Sequence, residues 1–253
     1  MSEEQADSKG QSLFEHLAEL RVRLINCAYI LIVATGLSYA FSERIFNFIR
    51  APIQPYLPGG GLIYTGPLDK FIAHIKISFV CGVLISCPLW LYQVWKFVAP
   101  GLYQKERKYS LAFIVSGSVL FLLGAAFSYW VVLPMAFHFL MNFGGSIDKP
   151  MISIDQYLGF FTQTCLMFGV AFELPLVISI LGMLGIVSHA FLTAKRRYAV
   201  MGLAVVSAVL SPPDLMSMIM MLIPMLALFE IGVFVVKIVE KKREQTYRVN
   251  ERE

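Results

Sequence analysis

Three carboxylates stand out in a chain that is otherwise poor in charge. Glu173 lies inside a long apolar block, two residues before Pro175. An ionised carboxylate in mid-bilayer costs at least ~2.5 kcal/mol even on the gentlest scale, so such a group is protonated, hydrogen-bonded or turned toward water. Intramembrane acids are functional by default, which makes Glu173 a candidate functional acid. Glu106 is the only acid in a segment with four bases (Lys96, Lys105, Arg107 and Lys108) and with the apolar residues Phe97 and Leu102. Two chemistries fit it: a local pair with Lys105 or Arg107, or recognition of a guanidinium beside an apolar group, with Phe97 and Leu102 supplying the apolar contact. Glu19 follows Glu15 by one helical turn, opposite a face made of Leu13, Leu17, Leu20 and Leu24. Arg23 can pair with Glu19 at i,i+4, and the face is either solvated or an acidic site for a cationic ligand.

Enzyme chemistry has no comparable signal. No HExxH, GxSxG or Walker loop occurs, and His16, His74, His138 and His189 are scattered without shared partners. Cys27, Cys81, Cys87 and Cys165 sit inside apolar blocks with no CxxC pair and read as small buried hydrophobes. No cofactor or metal is implied. On these residues alone, a proton-coupled small-molecule transporter centred on Glu173 is the alternative to a receptor built on Glu19 and Glu106.

The elements that must position these groups are membrane helices. Hydrophobic residues make up 57% of the 253 positions and charged residues 15%, against roughly 25% charged in a soluble domain. The apolar residues come in continuous runs long enough for helical spans, not in the dyad alternation of barrel strands. The expected fold is an all-α polytopic membrane protein of one domain, residues 1–253. Its six spans are expected at about 24–41, 71–95, 109–133, 157–184, 198–210 and 215–236, with the fifth and sixth short. Ser12 and Glu15 read as a capping box opening an interfacial amphipathic helix over 12–23. Pro88 and Pro224 are expected to kink spans two and six, and Lys76 to snorkel outward. No signal-peptide pattern is expected in the polar first 20 residues.

Charge placement sets the orientation. With the N-terminus in the cytoplasm, the inner segments hold Lys9, Arg21 and Arg23, the four bases around Glu106, Lys195 to Arg197, and six more cations from Lys237 onward. The outer segments hold only Arg44, Arg50, Lys70 and Lys149. Both termini are therefore expected inside, with 237–253 a basic cytoplasmic tail. The long outer segment from Ser42 to Lys70 is punctuated by Pro52, Pro55, Pro58, Gly59 to Gly61, Gly66 and Pro67, and is expected to form an ordered cap with short helical pieces.

Several segments, in order, resemble the TatC family, the receptor subunit of the twin-arginine protein translocase. They are His16 to Leu24, Ala51-Pro52, Leu91 to Trp95 with Phe97, Ala99-Pro100, Leu102-Tyr103 and Glu106-Arg107, then Phe168 to Pro175, Pro212 to Asp214 and Leu228 to Phe234. The resemblance covers about 12–237 and implies a concave helical bundle in the bacterial inner membrane. It implies a receptor that binds the twin-arginine signal peptide of folded cargo and works with the single-span partners TatA and TatB, drawing on the proton-motive force. Glu19 and Glu106 match the family's arginine binders, and Arg21, Phe97, Pro100 and Leu102 match neighbours that shape the same patch. Glu173 matches the acid of the concave membrane face, while Pro52 and Asp214 match functional outer positions. Met218 stands where some relatives carry a polar side chain, so a partner-helix hydrogen bond there falls to Ser211. The resemblance further implies an oligomer within a larger complex, contacts with membrane lipids and no nucleic acid.

Overall fold

The computed structural model describes residues 3–57, 61–99, 110–142, 151–210 and 215–250, and the side chains of these except in 3–16, at 210 and 216, and in 242–250. Among the described residues every regular element is helical. The first, α1, runs Glu3–Tyr39 without interruption. Ser12 therefore does not cap a helix start; it lies inside α1, and the amphipathic stretch continues directly into the first span. Extending an existing helix adds one backbone bond per residue with no new nucleus, and that outweighs a single side-chain cap.

The second expected span is two helices. α3 (Asp69–Ile85) and α4 (Cys87–Val98) meet at Ser86 with a 59° bend. Pro88 in the first turn of α4 lacks a donor that this turn does not need, so the break sits just before it. The Ser86 hydroxyl donates to the Gly82 carbonyl (2.6 Å), which also accepts the Ser86 amide (3.0 Å), so both donors of the joint residue are satisfied on α3. Gly82 itself packs against α1: a Cβ there would lie 2.7 Å from Thr35 Oγ1 and 2.8 Å from the Thr35 amide nitrogen.

α5 (Ser110–Phe127) continues through a π-turn (Ser128–Val132) into α6 (Leu133–Asn142), so this helical run is longer than the third span expected to end near Leu133. Pro134 cannot donate, and its ring crowds the carbonyl four residues back, in the π-turn; the wider turn gives it room. α7 (Ile154–Phe172) opens on a capping box, Ser153 with Gln156. Its continuation, α8 (Leu174–Met183), ends at Gly185, whose φ of 73° closes the helix with a bond from the Ile186 amide to the Leu181 carbonyl.

α9 (His189–Ala194), α10 (Arg196–Leu210) and α11 (Leu215–Asn250) complete the chain. The sixth span is not short: α11 passes Pro224 and continues into the basic tail, where Lys, Glu, Arg and Gln are all good helix formers. Among the described residues four helices are long and apolar enough to cross a membrane, and the bent α3–α4 pair makes five. α10, with 15 residues, reaches only ~22 Å of a core ~30 Å thick, which is why the expected fifth span is not among them.

The described residues between α1 and α3 form an ordered cap. It contains α2 (Ser42–Ile49) and a 3-10 turn at Gln54–Tyr56. Ile63 is pinned to the start of α7 by a two-bond bridge, 3.1 Å to the Ile152 carbonyl and 2.8 Å from the Ile154 amide. Ile49 and Ile53 anchor the cap in a core with Ile77, Leu133, Tyr157 and Leu158. The buried Tyr157 hydroxyl donates to the Ile49 carbonyl. Tyr157→Phe strands that acceptor, at a cost of about 1–2 kcal/mol. It should lower the melting temperature in detergent by a few degrees and make the cap more sensitive to protease; an unchanged protein would show that this hydroxyl does not hold α2.

Candidate functional site

At the end of the bundle opposite the cap, α1 and α4 lie side by side. Arg23 joins them: one nitrogen donates to Glu19 (2.9 Å) and another to Gln93 Oε1 on α4 (3.4 Å). The pairing of Glu19 with Arg23 follows the helical spacing. The Gln93 contact links residues seventy apart and had no sequence signal. The Glu19 side chain keeps about a third of its surface exposed (32%). One turn past Gln93 on α4 comes Phe97, half-buried at the same end as Glu19.

Trp95 and Phe113 fix the stems of the segment that follows. Both are buried, and their rings lie 4.5 Å apart, clamping the end of α4 to the start of α5. Glu106, Pro100 and Leu102 belong to that segment and lie outside the described residues. Arg21 is exposed and, two residues from Glu19, sits about 200° around α1, so it does not share the Glu19–Arg23 face.

Glu173 occupies the joint between α7 and α8, a refinement of its expected place in mid-span. It is buried, and neither carboxyl oxygen has a hydrogen-bond partner among the described residues. The space it occupies exists because Gly117 on α5 has no side chain: a Cβ there would lie 3.3 Å from Glu173 Oε2, 3.0 Å from Leu91 and 3.1 Å from Leu176. Burying such a group unpaired is costly, most of all in its ionised form. Ser128 in the π-turn and Thr164 on α7 are also buried hydroxyls without a hydrogen-bond partner among the described residues. Sequence reading missed both, because a Ser or Thr in a helix ordinarily satisfies itself on the preceding turn.

Of the expected outer positions, Pro52 is half-buried in the turn between α2 and Ile53, while Ser211 and Asp214 lie outside the described residues. Lys76 does not snorkel freely; it pairs with Asp155 at the start of α7. Glu230 pairs with Arg196 of α10, and Glu240 accepts from the His189 amide (3.0 Å), so α11 steadies α9 and α10. The four cysteines are free thiols.

Comparison with known proteins agrees across nearly the whole chain. Residues 15–224 match the family described as Sec-independent protein translocase protein (TatC). The Escherichia coli K12 protein of that name is 42% identical over 225 residues, covering 88% of this chain and 87% of that protein. The one from Desulforapulum autotrophicum is 36% identical over 231 residues, covering 91% and 86%. A crystal structure of the twin arginine translocase receptor TatC superposes with a TM-score of 0.77 at 35% identity, covering 88% of this chain and 98% of that one.

Proposed function

The chain belongs to the TatC family, and on that premise we propose that it is the receptor and core of a twin-arginine translocase. It is a membrane component of a protein translocase and not an enzyme. In the proposed arrangement six helices cross the bacterial inner membrane with both termini cytoplasmic, α10 serving as a short crossing. The paired arginines of a signal peptide on folded cargo bind Glu19 and Glu106, in a patch shaped by Arg21, Phe97, Pro100 and Leu102. TatA and TatB helices are recruited alongside, with Ser211, Asp214 and Pro52 on the outer side and Glu173 as the intramembrane acid. Translocation draws on the proton-motive force.

The observation that carries this reading is the state of Glu19. It is a partly exposed carboxylate at the α1–α4 end, and its one ion-pair partner among the described residues is an i,i+4 arginine. Such exposed pairs contribute about 0.3–0.5 kcal/mol, so an incoming guanidinium displaces Arg23 at small cost. Gln93 gives Arg23 a second acceptor that does not involve Glu19. Glu173 supports the same reading, as a buried hydrogen-bonding group that a neighbouring transmembrane helix could satisfy. Membership of a translocase family leaves the small-molecule transporter without support.

The test is binding of a labelled signal peptide to the purified protein in nanodiscs, with paired arginines compared against paired lysines. The planar fork of arginine fits a carboxylate through two bonds and lysine does not. The lysine peptide should bind at least about tenfold more weakly, the equivalent of ~1.4 kcal/mol. Equal binding of the two peptides would remove the carboxylates from the site.

A further inference from the structure

The cap end carries a second, unassigned feature: a cavity of about 210 Å³ between α2, the 3-10 turn and the start of α3. Its wall includes Arg50 and Lys70, with Gln54 beside them and Phe46, Leu57 and Leu62 as the apolar part. Cations are scarce on this side of the molecule. Between positions 42 and 70 there are only Arg44, Arg50 and Lys70, and two of the three converge on this one cavity.

The nearby acids are engaged or absent from the wall. Asp69 turns away onto the Thr65 and Gly66 amides (2.8 and 2.7 Å) and the Thr65 hydroxyl, which together hold its carboxyl below the ordinary range. Asp155 pairs with Lys76. Glu43, two turns before Arg50 on α2, is not part of the lining. Neither Arg50 nor Lys70 takes part in an ion pair among the described residues. The cavity therefore presents two uncompensated cations over an apolar wall, a combination that fits a molecule with an anionic head and an apolar body.

Its height fits as well. The rings of Phe48 and Tyr129 stack at 4.6 Å, the Tyr129 hydroxyl donates to the Phe48 carbonyl (2.8 Å), and Trp130 beside them is exposed. Trp and Tyr rings are enriched at the membrane–water boundary, and this pair sits in the π-turn, with Tyr129 half-buried against the cap and Trp130 turned outward. Arg50 follows Phe48 by two residues and Lys70 opens α3 just outside the apolar run, so both heads stand at the level of lipid phosphates.

We propose that this cavity binds the phosphodiester of an anionic phospholipid, with Arg50 gripping the phosphate through its fork, Lys70 adding a point charge, and Phe46, Leu57 and Leu62 covering the glycerol and upper acyl chain. Assigning the lipid to the outer leaflet rests on the orientation proposed above; the binding itself does not, so a detergent assay separates the two.

The experiment is retention of lipid by the purified full chain, read by native mass spectrometry at matched doses of dioleoylphosphatidylglycerol and dioleoylphosphatidylcholine. Both side chains are exposed, so Arg50→Gln/Lys70→Gln leaves folding intact, which a melting curve verifies. The double variant should retain phosphatidylglycerol about tenfold less, with phosphatidylcholine unchanged, and Arg44→Gln should behave as wild type. Equal loss in Arg44→Gln, or no preference for the anionic lipid in the wild type, overturns the proposal by reducing it to net charge. Full displacement of phosphatidylglycerol by millimolar inorganic phosphate also overturns it, making the cavity a small-anion site.

Discussion

Replacing Glu19 and Glu106 together by alanine should weaken binding of a twin-arginine peptide by about a hundredfold or more. A hydrogen bond to a charged group contributes about 1.5–3 kcal/mol, and the double variant removes two such acceptors. The smaller end of that range applies to Glu19, because the peptide must first displace Arg23 from it. That competition yields a second expectation within the same series. Arg23→Ala should leave peptide binding unchanged or slightly stronger, provided α1 and α4 stay docked without the Gln93 contact. Titration of fluorescent peptide into wild type, each single variant and the double variant measures all of this. Full affinity in the double variant would remove the two acids from the binding site. Losses in the two single variants that sum to the double would mean each acid meets its own guanidinium, whereas a large coupling would place both on one.

The largest structural effect should come from Gly124→Ala. A Cβ at this position of α5 would lie 2.4 Å from the carbonyl oxygen of Phe168 and 2.9 Å from its carbon, so the clash is with backbone. No rotamer change relieves it, and α5 and α7 must separate along an interface that also contains Gly169 against Phe121. Overpacking of this kind costs about 1–3 kcal/mol, and more where backbone cannot yield. Small residues at such crossings are what let membrane helices pack at all, since lipid provides no hydrophobic push. The detergent-solubilised variant should melt several degrees lower and accumulate poorly. Gly202→Ala is the control: nothing lies within 4 Å of a Cβ there, and alanine is the better helix former by about 1 kcal/mol. The two glycine substitutions should therefore shift the melting temperature in opposite directions or leave Gly202→Ala unchanged. A Gly124→Ala protein as stable as wild type would mean that α5 and α7 do not approach this closely.

Local pattern carried much of the architecture. The apolar runs located the spans because twenty uncharged residues have few alternatives to a membrane helix. The Glu19–Arg23 pair and the cap's ordered turns were also legible, being set by i,i+4 spacing and by the density of Pro and Gly. The bend in the second span was foreshadowed by Pro88, but its 59° angle was not. Misreadings came where a local signal lost to a longer-range one. Ser12 carries a real capping pattern, yet continuing α1 offered more hydrogen bonds than starting it there. Likewise Lys76 found Asp155, 79 residues away, in place of water.

Taken alone, then, the sequence determined the class of molecule: a helical membrane protein, its apolar segments, its charge asymmetry and its kinship with the TatC family. The first three follow from composition and short-range spacing, and the kinship from the resemblance of ordered segments; one-dimensional information contains both. The tertiary structure alone decided which groups meet. It set Gln93 against Arg23, left Glu173 buried beside Gly117 without a hydrogen-bond partner among the described residues, and brought Arg50 and Lys70 to one cavity wall. The reason is geometric. Such contacts join residues that are far apart in the chain, and their distances depend on how rigid helices cross, bend and approach, which glycines, a π-turn and a broken span set only once all the helices are packed.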